Sequence, residues 1–177
     1  CAIDCSKMGA HVILIGRDEN RLNQTRKMME GQDHLIVSYD LTDSVNLKSM
    51  VADIVNKMGT INGVLHCAGI SDTIPFKLTK RETLDKFFQN NVYSAIELTR
   101  EVCSVKNVSK EGASIIFFSS IMGCVGESGK SLYGMTKGAL IAATRSLACE
   151  YAKKRVRFNC ISPGAILTPI NANLPHM

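Results

Sequence analysis

The sequence lacks the patterns that would point to a membrane span, a metal site or a disulfide framework. No apolar run approaches the ~20 residues that a membrane-spanning helix needs. The seven cysteines include no Cys-x-x-Cys pair, and the four histidines lie far apart, so no metal cluster is predicted. An odd number of cysteines, scattered along the chain, is typical of a protein whose thiols are reduced. We therefore expect a cytoplasmic location.

Charge gives no strong indication of a nucleic-acid partner. The net charge at pH 7 is +5, and the dense basic run is Lys153-Lys154-Arg155. No aromatic residues are interleaved with this run, so we interpret it as a solvated turn between a helix and a strand. The 177 residues, 45% of them hydrophobic, are enough for one domain with a substantial core.

Short apolar segments alternate with longer amphipathic ones along the whole chain. The predicted strands are 12–15, 34–39, 61–66, 114–119 and 156–161. The predicted helices are 1–7, 18–30, 44–57, 84–106 and 133–151. This alternation predicts an α/β protein with a doubly wound parallel sheet, helices on both faces, and a single domain over residues 1–177.

One segment, residues 114–137, combines a buried strand with side chains that can move a proton. Its apolar run 115–118 is typical of a strand covered on both faces, and Ser120 follows where that strand should end. Tyr133 and Lys137 are four residues apart, so on a helix they share one face. Ligands of open α/β sheets bind at the carboxyl ends of strands, where Ser120 should lie.

These three residue types suit acid-base chemistry. A tyrosine hydroxyl is a poor proton carrier near neutral pH, but a nearby ammonium lowers its pKa. Lys137 would supply that charge, and Ser120 could hydrogen-bond the oxygen that gains or loses the proton. The alternative is an ordinary surface pair, because Tyr-x-x-x-Lys alone is a weak motif.

At this spacing, and after such a strand, Ser120, Tyr133 and Lys137 resemble the classical short-chain dehydrogenase/reductase family. The resemblance covers nearly the whole chain and implies a Rossmann-like fold and hydride transfer between a nicotinamide and a carbonyl or secondary alcohol (EC 1.1.1.-). Asn91, in Gln-Asn-Asn-Val-Tyr-Ser-Ala, matches the asparagine that completes the family's catalytic set. The implied reaction needs no metal.

The resemblance also implies cofactor contacts. Arg17 follows Gly16 at the end of the 12–15 strand, where family members that prefer NAD usually carry an acidic residue. A guanidinium binds a 2′-phosphate that a carboxylate would repel, so NADP is expected over NAD. The alternative is that Arg17 is an ordinary exposed residue at the start of a helix. The remaining cofactor positions implied are Asp40, Leu41, Ala68, Gly69, Tyr133, Lys137, Pro163, Gly164, Ile166 and Thr168.

Two positions depart from the family pattern. His66 and Cys67 stand where the family has two asparagines, just before Ala68 and Gly69. We interpret His66 as a core side chain with its hydrogen bonds satisfied, and not as an acid-base catalyst.

Parts of the family pattern have no counterpart here. The first strand, its glycine-rich phosphate-binding turn and a C-terminal substrate-covering segment are not found, so we expect the chain to be the middle of a longer protein. The resemblance also implies a dimer or homotetramer through the helices 84–106 and 133–151. The small residues expected on that outer surface are Gly138, Ala142, Ala143 and Ser146.

Three functions stay open at this point. The first is reduction of a 3-oxoacyl thioester carried by an acyl carrier protein. The second is oxidation or reduction of a sugar, steroid or small alcohol. The third is a non-catalytic NADP-binding regulator, which the complete set of Ser120, Tyr133, Lys137 and Asn91 argues against.

Overall fold

The computed structural model describes residues 1–166, and the chain forms two compact units, Cys1–Gly59 and Thr60–Met177. The strands of each unit pair in parallel, with helices between them in sequence. This arrangement confirms the predicted α/β class, whereas the single-domain organisation stays a prediction. Among residues 1–166, no helix combines the length and the apolarity that crossing a membrane requires.

The first unit has a two-stranded sheet and three helices. Its elements are α1 (Ala2–Lys7), β1 (Ile13–Gly16), α2 (Glu19–Lys27), β2 (Leu35–Ser38) and α3 (Leu47–Met58). Strand β1 pairs with β2 from Ile13↔Leu35 to Gly16↔Ser38. Apolar residues of α3 form much of the core, since Leu47 and Val51 are almost fully buried. Asp18 caps α2 as predicted, accepting a hydrogen bond from the Arg21 amide at 3.1 Å.

Helix α3 begins three residues later than the sequence pattern predicts. The Asp43 carboxylate accepts hydrogen bonds from the amides of Val45 and Asn46 at 3.0 and 3.3 Å. These bonds hold residues 43–46 in a turn that precedes the helix, because an aspartate can satisfy nearby amides outside a helix.

The second unit has a three-stranded sheet in the order β3-β4-β5. Its elements are β3 (Gly63–His66), α4 (Arg81–Phe88), α5 (Ser94–Val102), β4 (Ala113–Phe118), α6 (Ser131–Tyr151) and β5 (Val156–Ile161). The central strand β4 supplies the buried Ile115 and Phe117, which are fully inaccessible to solvent. Phe117 stacks between His66 of β3 and Phe158 of β5, so aromatic rings join the three strands.

The predicted long helix over 84–106 is interrupted, begins three residues earlier than expected, at Arg81, and ends earlier, at Val102. A π-helical turn, Gln89–Tyr93, separates α4 from α5. Helix α5 ends at Val102 because Asn107 folds back and donates its side-chain amide to the Glu101 carbonyl at 2.7 Å. Single π turns within helices occur frequently at functional sites.

Candidate active site

Ser120 lies directly after β4 and its side chain is held in place. Its Oγ accepts a hydrogen bond from the Met122 amide at 3.2 Å, which leaves the hydroxyl hydrogen free to be donated. The neighbouring Ser119 donates to the Lys137 carbonyl at 2.8 Å, and its amide donates to the Ile161 carbonyl at 2.8 Å. The end of β4 is therefore fastened both to α6 and to β5.

The turn that carries Ser120 packs unusually close to helix α6. A Cβ at Gly134 would lie 2.8 Å from the Met122 carbonyl oxygen, and a Cβ at Gly123 would lie 2.9 Å from the Lys137 carbonyl carbon. Only glycine allows these backbone approaches. The two glycines thereby bring Ser120 next to the first turn of α6, which carries Tyr133.

Tyr133 is half-buried on α6 and faces Ser120. Burial raises the pKa of Tyr133, and a hydrogen bond with the Ser120 side chain opposes that rise. The Lys137 ammonium lies 5.6 Å from the centre of the Tyr133 ring. Serine, tyrosine and lysine therefore lie together, as the sequence predicts.

The sequence predicts that Lys137 lowers the pKa of Tyr133, whereas in the structure that pKa is raised. Lys137 is only 6% exposed, and its Nζ donates to the Phe118 carbonyl at 2.7 Å and not to the Tyr133 hydroxyl. Burial lowers the pKa of Lys137, while the Cys160 and Cys67 thiols act in the opposite direction. Burial, and not the lysine charge, therefore dominates the pKa of Tyr133 in this arrangement.

Asn91 lies in the π-helical turn and is 1% exposed. Its Oδ1 accepts from the Ile70 amide at 2.7 Å, and its Nδ2 donates to the Ile70 carbonyl and to Thr136 Oγ1, each at 3.0 Å. The neighbouring Asn90 donates back to Lys86 of its own helix at 2.9 Å. The structure therefore favours Asn91 over Asn90 as the asparagine of this site.

The interpretation of His66 as a core side chain is confirmed. Its ring is 7% exposed, stacks on Phe117 at 4.8 Å, and lies 2.8 Å from Thr99 Oγ1. Since the Thr99 hydroxyl donates to the Ala95 carbonyl at 2.7 Å, His66 Nε2 must be the donor in the histidine–threonine pair. Burial lowers the pKa of His66 to about 4, which fits a neutral structural ring.

Sequence reasoning missed two members of this site, Thr136 and Ile70. Thr136 is fully buried and links Asn91 to Tyr133. Its position three residues after Tyr133 puts it on the same side of the helix, so helical periodicity could have indicated it. Ile70 acts only through its backbone, and no sequence pattern signals such a contact.

In the first unit, Arg17 and Asp40 lie at the ends of the adjacent strands β1 and β2. Arg17 Nη1 is 3.7 Å from Asp40 Oδ2, and the arginine side chain remains 67% exposed. The Thr42 amide and hydroxyl donate to Asp40 Oδ1 at 3.0 and 2.8 Å. These bonds lower the pKa of Asp40, with a smaller contribution from Arg17. The guanidinium is thus held near one carboxylate while most of it faces solvent.

The other predicted cofactor positions are distributed over both units. Leu41, which follows Asp40, and Pro163 are partly exposed. Gly164 and Ile166 are exposed. The Pro163 carbonyl accepts from the Ile121 amide at 2.9 Å, which ties the turn after β5 to the turn after β4. Thr168 lies outside the described residues.

Ala68 and Gly69 form an exposed segment after β3. A Cβ on Gly69 would lie 3.2 Å from Asn91 Oδ1 and 3.6 Å from Lys137 Nζ. The absence of a side chain keeps space open beside the ammonium.

Parallel strands, a serine at a strand end and a Tyr-x-x-x-Lys helix define an α/β oxidoreductase class. The family model described as "Enoyl-(Acyl carrier protein) reductase" matches residues 1–177. The chain belongs to the short-chain dehydrogenase/reductase family.

Curated relatives resemble this chain in sequence, and solved structures resemble it in fold. The human 3-oxoacyl-[acyl-carrier-protein] reductase is 30% identical over 81% of this chain and 60% of its own length. The Arabidopsis thaliana glucose and ribitol dehydrogenase homolog 2 is 29% identical over 88% of this chain and 55% of its own length. A Salmonella enterica short-chain dehydrogenase structure is 26% identical, with a TM-score of 0.90 over 99% of this chain and 75% of its own. The chain thus spans little more than half the length of these two curated relatives.

The residues present fit the nicotinamide cofactor that the family implies. Lys137 presents a buried ammonium beside the open backbone of Gly69, and only one of its three hydrogens is needed for the Phe118 carbonyl. The remaining donors suit ribose hydroxyls.

Proposed function

We propose that the protein is an NADP-dependent oxidoreductase that interconverts a carbonyl and a secondary alcohol through Ser120, Tyr133, Lys137 and Asn91. One observation carries the proposal: Tyr133 is hydrogen-bonded to Ser120, while Lys137 lies buried one helical turn further along. Such a cluster of perturbed titratable groups beside a strand end is typical of a catalytic site.

The roles follow from the geometry. Ser120 can donate its hydroxyl hydrogen to a substrate carbonyl in place of Tyr133, because its oxygen already accepts from Met122. The raised pKa of Tyr133 keeps its hydroxyl protonated, so it can donate a proton to the developing alkoxide. Lys137 would hold the nicotinamide ribose, and Asn91 would keep the adjoining turn in place. When bound, NADPH supplies the hydride.

NADP is proposed over NAD because of Arg17. Its guanidinium is largely exposed at the end of β1, where a charge-assisted fork could take a 2′-phosphate. Asp40 lies 3.7 Å away and would keep the guanidinium oriented. A solved structure of an ElxO variant with NADPH bound shares the fold, with a TM-score of 0.87.

For the substrate, we propose a 3-oxoacyl thioester. The human, mouse and bovine relatives named 3-oxoacyl-[acyl-carrier-protein] reductase, each 30% identical, support this choice. A sugar substrate is the second candidate, since relatives also include a Gluconobacter oxydans glucose 1-dehydrogenase at 31% identity. A dimer or tetramer, and a cytoplasmic location, remain part of the proposal.

The test is oxidation of NADPH and NADH by the purified protein, with acetoacetyl thioesters and a panel of sugar and small carbonyl compounds. Tyr133→Phe should lower turnover by roughly 10²- to 10⁴-fold, the usual contribution of a general acid. NADPH binding, followed by its fluorescence, should be retained. Tyr151→Phe, at the far end of α6, is the matched control and should keep full activity.

The outcomes separate the candidates. NADPH-dependent turnover of the thioester supports the main proposal, and turnover of sugars alone supports the second candidate. Normal turnover by Tyr133→Phe would remove Tyr133 from the mechanism. Tight NADPH binding without turnover of any compound would favour the regulator.

A further inference from the structure

Thr136 connects the two parts of the site through one hydroxyl. Its Oγ1 donates to the Tyr133 carbonyl at 2.8 Å and accepts from Asn91 Nδ2 at 3.0 Å. A hydroxyl has one hydrogen, so these directions follow from the amide being a donor only. The side chain is completely buried, and solvent cannot replace either bond.

The Asn91 side chain is fully engaged in the same network. Both Nδ2 hydrogens are used, one on the Ile70 carbonyl and one on Thr136, and Oδ1 takes the Ile70 amide. Asn91 therefore has no side-chain donor left for a substrate. Its contacts instead join three segments: the loop after β3, the π-helical turn and α6.

The π-helical turn needs such contacts. An inserted residue breaks the regular hydrogen-bond pattern of a helix, and here the Asn91 side chain ties the turn to the Ile70 backbone and to Thr136. Thr136 is the partner on α6 that supplies this contact, and it is bonded at the same time to the backbone of Tyr133.

We propose that Thr136 is a positioning residue: its hydroxyl sets the place of Tyr133 relative to Asn91 and the loop after β3. The kinetic part of this inference rests on the proposed function, and the structural part does not. Because both bonds are made by the Thr136 hydroxyl, serine should be able to replace this threonine. Valine, which has the same shape but no hydroxyl, should not.

The same helix offers a matched control. Thr144 is also buried and also donates to a carbonyl one turn back, that of Leu140, at 2.7 Å. Such back-bonding within a helix is common and local. Thr136 differs from Thr144 by its bond to Asn91, so comparing the two isolates the link between segments.

The experiment compares Thr136→Val, Thr136→Ser and Thr144→Val. Thr136→Val should lower kcat by about ten- to hundredfold, because a small misplacement of a catalytic group costs this much. The KM of Thr136→Val for NADPH should change less than about threefold. The kcat and KM of Thr136→Ser and Thr144→Val should stay within about threefold of the wild-type values. Thr136→Ala serves as the second hydroxyl-free variant if the valine protein does not fold.

A second readout does not depend on activity. The Ile70 amide is bonded to Asn91 Oδ1, so its hydrogen-exchange rate, measured by NMR, reports on the network directly. Exchange should accelerate at least tenfold in Thr136→Val, and not in Thr136→Ser or Thr144→Val.

The results decide between the proposals. Loss of kcat and faster Ile70 exchange in Thr136→Val alone support the inference. Unchanged Ile70 exchange in both hydroxyl-free variants would overturn it, as would equal kcat values for Thr136→Val and Thr144→Val. A wild-type protein without turnover would contradict the proposed function, while Ile70 exchange would still decide the role of Thr136.

Discussion

His66 and Lys137 are buried and Tyr133 is half-buried, and the pKa values of all three are shifted towards the neutral form. Burial lowers the pKa of His66 and of Lys137 and raises that of Tyr133. Removing a charge from water costs more free energy than the nearby partners supply. The charged form of each side chain is therefore disfavoured, which explains why all three pKa values shift towards the neutral form. A protonated tyrosine next to a lysine with reduced proton affinity is suited to proton exchange.

His66 makes stability depend on pH. Its pKa is about 4 in the folded protein against an ordinary value of 6.5, so the unfolded chain binds the proton more readily. The contribution of His66 to the free energy of unfolding is complete above pH 6.5 and is lost as pH falls towards 4. At pH 5 we expect a loss of roughly 2 kcal/mol in the free energy of unfolding.

Denaturant unfolding at pH 7 and pH 5 measures this loss. His66→Asn cannot titrate, so its stability should fall by roughly 2 kcal/mol less than that of the wild type between the two values. His11→Asn, at an exposed position, is the control and should behave as wild type. An equal pH dependence in His66→Asn would show that another group is responsible.

At the scale of elements, the contact between the Ser120 turn and α6 depends on glycine. In an open helix, alanine would be favoured over glycine by about 1 kcal/mol. At Gly134, however, the new methyl would lie 2.8 Å from the Met122 carbonyl oxygen, which is backbone and cannot rotate away. Gly134→Ala should therefore destabilise the protein by about 1–3 kcal/mol, the usual cost of overpacking.

The free energy of unfolding of Gly134→Ala, from a denaturant titration, checks this expectation. Gly126→Ala is the matched control, because nothing lies within 4 Å of the position that its new methyl would take. If Gly134→Ala were more stable than wild type, helix propensity would outweigh the close contact.

The sequence predicts most elements because their hydrophobic patterns are local. Strand β4 and helix α6 match the predicted segments closely, and the Asp18 cap is where the pattern puts it. Helix α2 ends at Lys27, three residues before its predicted end. Two other differences, at the start of α3 and at the end of the 84–106 region, come from side chains that compete for backbone groups: Asp43 in one case and Asn107 in the other. Such competition depends on geometry that a periodic pattern does not contain.

At the scale of the whole molecule, the proposed oligomer would use the outer surface of α6. Ala142 and Ser146 are exposed there, as expected, whereas Gly138 and Ala143 are only partly exposed. A Cβ on Gly138 would lie 3.5 Å from the Gly123 carbonyl oxygen, so this glycine faces the Ser120 turn. Small exposed residues on a helix allow a second helix to pack closely.

Ala142→Arg should therefore convert a dimer or tetramer into a smaller species, because a long charged side chain cannot be buried between closely packed helices. Light scattering after size exclusion gives the mass in solution. Ala52→Arg, on an exposed position of α3, is the control and should leave the mass unchanged. A wild-type monomer, or an unchanged oligomer in Ala142→Arg, would contradict this surface.

Long-range contacts set the limit of what the sequence reveals about the site. Ser120, Tyr133 and Lys137 fall within eighteen residues and can be grouped by spacing alone. The bond between Asn91 and Thr136 spans 45 residues, and that between Asn91 and Ile70 spans 21. These pairs depend on how the helices of the second unit pack, so only the folded structure shows them.

The fixed orientation of the Ser120 hydroxyl has a stereochemical consequence. Because its oxygen accepts from the Met122 amide, the hydroxyl hydrogen is restricted to the remaining directions around that oxygen. Tyr133 contacts the turn from α6, so a carbonyl oxygen held by both groups would have its C=O axis fixed. In the proposed reaction, the choice of enantiomer would then rest on which substituent of a prochiral ketone lies on each side of that axis.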